Sequence, residues 1–182
     1  MKNLIIENVL NKLNSIEDKD IYAFNLYLEY YNDNPYEPTI TFGYNTIKNY
    51  ENSCNETDKI EAKWNYAFWL QNEIFILGLD ETKEIIKSWF VKNNLGYKSY
   101  EEFFNDEIDD KLCSKIDKKI KNEIVEAIKE IQNSSIIKKQ FNKEIPIIIH
   151  ELEYTNELAK LNEKANGKFL VNEFVQFCKG IY

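Results

Sequence analysis

The stretch Glu144-Ile145-Pro146-Ile147-Ile148-Ile149-His150-Glu151-Leu152-Glu153-Tyr154 decides how the rest of the chain is read. A short, β-branched apolar run following a long helical region predicts a strand entering a buried sheet. At its end the apolar residues give way to the chain's single histidine and two glutamates. Strand ends of this kind are where folds containing both helices and strands commonly place ligands.

Working outward, two further strands are expected in the first quarter of the chain. In Ile21–Tyr31 the even positions Tyr22, Phe24, Leu26, Leu28 and Tyr30 share one face, while Asn25 and Glu29 lie on the other. The cluster Asn32-Asp33-Asn34-Pro35 breaks that run, and Pro38–Tyr44 alternates again, so the two should pair as an antiparallel hairpin. Trp64, Tyr66, Phe68 and Leu70 alternate with Asn65, Ala67, Trp69 and Gln71, which favours a strand over 64–71, with a helix as the alternative.

The remaining elements read as helices. Residues 3–15 carry an apolar stripe with Asn3 as its cap, and Asp80 caps a helix containing Ile86, Trp89 and Phe90. Ser99-Tyr100-Glu101-Glu102 is a capping box. From Ile108 to Ile128 an isoleucine or leucine recurs every fourth residue. Four residues overshoot one turn by about 40°, so a straight helix must be wrapped on changing sides or break near 117–121. Thr155 or Asn156 opens a helix that Asn166-Gly167 ends, and a last helix follows from Phe169. The reading is a single α+β domain over residues 1–182, with a mainly antiparallel sheet packed with helices.

Composition narrows the function. The 182 residues include 23 lysines and no arginine, with a net charge of −8. Guanidinium clamps on phosphate or guanine are therefore absent, and the acidic balance opposes nucleic-acid binding. It favours simple solubility, or a basic protein partner reached by electrostatic steering. Cys54, Cys113 and Cys178 are odd in number and widely spaced, which predicts free thiols in the cytoplasm. No apolar run approaches the ~20 residues of a membrane span, and the first residues do not resemble a signal peptide.

His150 with Glu151 and Glu153 is the sharpest constellation, since histidine titrates near neutrality and carboxylates can orient it. In a strand, however, the two glutamates point away from His150, and Tyr154 stands where a zinc-protease motif needs a second histidine. A hydrogen-bonded histidine at a strand end is the competing reading. Trp64 and Trp69 are candidate anchors for a partner or simply core residues. Asp106, Glu107, Asp109 and Asp110 lack the calcium-loop pattern and read as a solvated helix start. With five glycines there is no phosphate loop and no nucleophile elbow. No cofactor and no metal site are expected.

The segments Glu61–Gln71 and Pro146–Tyr154, followed by Asn162–Asn166, resemble a bacterial domain-of-unknown-function family, numbered 4303, across nearly the whole chain. The resemblance implies a small cytoplasmic protein and brings no activity or catalytic residues. Proteins of this sort resemble the immunity proteins found beside bacterial toxin genes, which implies a binding role. The expectation is a non-enzymatic protein-binding module with a basic partner such as a toxin. Its binding candidates are Trp64, Trp69, His150, Glu151 and Glu153. The alternative is a small-molecule binder or enzyme with a cleft near His150.

Overall fold

In the computed structural model, which describes residues 1–105 and 109–181, the sheet forms around Ile21–Tyr30 (β1). This strand pairs antiparallel with Pro38–Thr46 (β2) and parallel with Ile147–His150 (β4). Phe75–Leu77 (β3) adds to the far side of β2, giving the order β3-β2-β1-β4. The fold is α+β, and its sheet is mixed: two antiparallel pairings and one parallel pairing. Helix α1 (Lys2–Leu13) precedes β1, and the isoleucine strand returns parallel to β1 only after the connecting chain has passed through helices α2 (Ile47–Ser53), α3 (Lys59–Trp64), α4 (Asp80–Lys92), α5 (Tyr100–Asn105), α6 (Asp110–Asn133) and α7 (Ile136–Phe141). Two helices follow it, α8 (Asn156–Asn166) and α9 (Asn172–Cys178).

Both faces of the sheet are covered. On one, Phe24 stacks on Phe42 and meets Phe141 of α7, while the Tyr30 hydroxyl donates to Asp117 of α6. On the other, Tyr22, Asn25, Tyr27 and His150 face the segment that follows α3, together with α9. Tyr22 is a correction to the alternating pattern. The β1–β2 register shifts between Ile21 and Ala23, and this bulge turns Tyr22 onto the face opposite Phe24, where Asn45 donates to its hydroxyl.

The expected strand over 64–71 does not form. Asp58 caps α3 by accepting from the N–H groups of Ile60 and Glu61, which carries the helix through Trp64. Asn65 then accepts from the Ala67 N–H and starts a 3₁₀ turn over Tyr66–Phe68. Side-chain bonds to the local backbone, invisible to apolar alternation, won the competition. The turn brings both tryptophans to one aromatic cluster, whereas a strand would have sent them to opposite faces.

Helix α6 runs unbroken, and its drifting stripe is accommodated by wrapping: α1 packs on it from one direction and α8 from another. Ile108, Asp106 and Glu107 lie outside the described residues. Asp109 caps the helix by accepting from Lys111 and Leu112. The Ser99–Glu102 capping box is present in both directions, Ser99 N–H to Glu102 and Glu102 N–H to Ser99 Oγ. Two caps differ from expectation. Helix α1 begins at Lys2, whose N–H donates to Glu123 on α6, so Asn3 is inside it. Asp80 lies within α4 at positive φ; the N-cap is Leu79, without a side-chain bond, and Thr82 accepts from the N–H of Gly78 just before the helix. Gly78 is obligatory there: it has φ +99, and a Cβ would come within 2.1 Å of the Pro38 carbonyl oxygen.

Strand β4 is an edge strand, yet all four of its residues are buried. Its outer edge is sealed by side-chain amides of α8. Asn162 accepts from Ile149 N–H at 2.8 Å and donates to Ile149 O at 3.0 Å. One helical turn on, Asn166 does the same for Ile147, both at 2.9 Å. A carboxamide carries the same donor and acceptor as a peptide group, so two asparagines at i, i+4 stand in for a missing fifth strand.

Candidate functional site

The residues at the end of β4 part company at His150. The imidazole stays with the sheet, fully enclosed by the rings of Tyr66, Trp69, Tyr154 and Phe174. Tyr154 oxygen accepts from Tyr66 N–H at 2.7 Å and lies within hydrogen-bond distance of His150 Nδ1, at 3.2 Å. His150 Nε2 has no hydrogen-bond partner among the described residues. Burial without a compensating anion pushes the His150 pKa down to about 3. Burial pushes the Tyr154 hydroxyl upward as well. The pair is a buried polar contact inside an aromatic box, not a proton shuttle open to solvent.

Both tryptophans are buried. Trp64 packs edge-on against Phe174 and Tyr22, and Trp69 meets Tyr22 and His150 while donating from Nε1 to Lys63 O. The structure therefore gathers Trp64, Trp69 and His150 into one internal cluster. Glu151 and Glu153 lie outside it, on the surface where the chain bends away from the sheet.

That bend opens a groove. Two adjoining cavities, of about 420 and 460 Å³, share Tyr27, Glu29, Glu151 and Leu152. Tyr66 and Tyr154 line the first of them, and His150 does not line either. The Tyr27 and Tyr66 rings stack at 4.5 Å with 9° between their planes. Around them the two cavities expose Glu29, Asp33, Glu73, Glu151, Glu153 and Glu157 against one lysine, Lys121. That lysine is already engaged by Glu151 at 2.7 Å and Asp117 at 3.0 Å. Burial lowers its pKa, but the two carboxylates outweigh that and the net shift is upward. Glu151 is raised by burial, with Lys121 opposing. Among the described residues no other groove carboxylate has an ion-pair partner.

Tyr27 lines both cavities, and pattern reading passed over it. The available signal was small: Tyr27 is an aromatic between Asn25 and Glu29 on the polar side of its strand. Among the described residues, no three His, Cys, Asp or Glu side chains gather closely enough to hold a metal ion, and no helix is long and apolar enough to cross a membrane. A different cavity, of about 440 Å³, lies at the opposite end of β4, between Lys138 and Lys168, beside the fully exposed Phe169. Compared with protein-family models, with curated proteins and with solved structures, the chain matches none.

Proposed function

We propose that this chain is a protein-binding module whose acidic groove receives a basic partner. The observation that carries the reading is the groove itself: stacked tyrosines ringed by carboxylates, with its single lysine neutralised from within. Tyrosine offers broad contact area at low entropic cost and a π face that attracts cations. Unpaired carboxylates around it raise the rate of encounter with a basic surface. The anchors in this reading are Tyr27 and Tyr66, with Glu151 and Glu153 at the rim. Trp64, Trp69 and His150 support the groove wall from behind.

A toxin neutralised by this chain is a partner of the right chemistry, which accords with the immunity-like role and the family that the resemblance implies. The free thiols Cys54, Cys113 and Cys178, the last pushed up to about 12 by burial, are consistent with a reducing cytoplasm. Chemistry by His150 has less support, because the groove is walled by tyrosine and carboxylate and not by imidazole.

The experiment is titration calorimetry of the purified chain against the basic proteins encoded beside its gene, toxins first. The expected result is a complex that weakens at about 0.5 M salt, where screening lengths shrink to a few ångströms, and weakens again in a Glu29→Gln, Glu153→Gln double variant. A complex indifferent to both, or none with any neighbour, overturns the reading.

A further inference from the structure

The way β1 outlasts β4 says more about the partner. Strand β1 is paired with β2 along its length, from Ile21 opposite Thr46 to Tyr30 opposite Pro38. On its other side β4 covers only Phe24 to Tyr27, and the chain leaves the sheet after His150. Phe24 N–H donates to Pro146 O, so the Phe24 backbone faces β4. Alternation puts the backbones of Leu26, Leu28 and Tyr30 on that same side. The Leu28 carbonyl and the Tyr30 N–H are therefore the next groups in the row, at a point where β4 has ended.

The second cavity occupies this place, lined by Leu28, Glu29 and Tyr30 on one bank and Glu151, Leu152 and Glu153 on the other. Its 460 Å³ sit where the missing continuation of β4 would run. Upstream on the same side, Asn162 and Asn166 seal the sheet edge from within. Downstream no comparable side chain among the described residues does so.

We infer that the groove takes an extended, basic segment of a partner protein, which pairs with β1 over Leu28–Tyr30 as a continuation of β4. This rests on the reading of the groove as a protein-binding site and specifies how the partner is held. Main-chain bonds to the strand edge beyond β4 supply the register, and alternate side chains of the segment fall on opposite faces of the sheet. Carboxylates on both banks select cationic side chains, and the Tyr27–Tyr66 stack offers a face for a guanidinium. The same carboxylates bar a second copy of this chain, whose net charge is −8.

The test is an NMR titration of the ¹⁵N-labelled chain with two synthetic peptides of alternating arginine and valine. One carries N-methyl groups on alternate amides, which keeps its charge and removes its strand hydrogen bonds. The expected result is shifts centred on the Leu28, Glu29 and Tyr30 amides, binding at least about tenfold weaker for the methylated peptide, and weakening by Glu153→Gln. Equal binding of the two peptides in the groove overturns strand pairing and leaves the acidic-groove reading standing. Absence of shifts in the groove at millimolar peptide, or indifference to Glu153→Gln, overturns both.

Discussion

Two stretches of sheet edge lie end to end on the same side of this molecule, and they are treated in opposite ways. Along Ile147–Ile149 every outward backbone group meets a carboxamide of α8, and the strand is buried. A few residues further, along Leu28–Tyr30, the edge faces a cavity ringed by acids. Backbone groups under a helix must find partners within the protein, because no water reaches them. Where water reaches, charge is enough to keep the edge from pairing with its own kind. The first stretch is therefore about stability and the second about access.

The largest effect is expected from breaking the seal. Asn162→Leu keeps the branched shape but strands the Ile149 N–H and C=O in the interior, and should cost about 3–5 kcal/mol in urea unfolding. Asn166→Leu, at a half-buried site, should cost about 2 kcal/mol by the same measurement. If both cost under about 0.5 kcal/mol, the seal carries no stability.

The aromatic box behind the groove should show next, through pH. Folded, the lone imidazole stays neutral down to about pH 3; unfolded, it takes a proton near its ordinary value of 6.5. The unfolded chain binds more protons between those values, so stability rises with pH across that window and falls on acidification. His150→Gln removes this contribution. Wild type should lose up to about 1.4 kcal/mol per pH unit more than the variant below pH 6, read from urea midpoints at pH 4.5 and 7. Parallel curves would mean that the imidazole is not held neutral. Tyr154→Phe, which deletes the hydroxyl joining Tyr66 N–H to His150, should cost about 1–2 kcal/mol.

The smallest effects belong to the open stretch. Glu153→Gln should change stability by less than about 0.5 kcal/mol, and Glu151→Gln, whose bridge to Lys121 is partly exposed, by less than about 1 kcal/mol. Both should nonetheless weaken binding of a basic partner. A groove variant that unfolds the protein would erase the distinction between the two stretches.

Much of the frame was legible in the sequence, because the signals were local. The hairpin strands, the Ser99–Glu102 box, the Thr155 cap and the Gly167 stop each depend on residues a few positions apart. The segment around Trp64 and Trp69 was misread for a related reason. Asp58 and Asn65 supplied capping bonds that apolar alternation does not register. Nothing in the helix pattern marks Asn162, and Asn166 reads as part of the helix stop; their sealing role exists only once a strand lies beside them.

The sequence by itself determined the two hairpin strands, the starts of α5 and α8, and the acidic balance of charge. Those follow from composition, short-range periodicity and capping chemistry. Only the tertiary structure decided that β4 runs parallel to β1, that Trp64, Trp69 and the histidine share one interior, and that β1 overruns its neighbour. Each of those depends on groups distant along the chain meeting in space, and no pattern within a single segment carries that information.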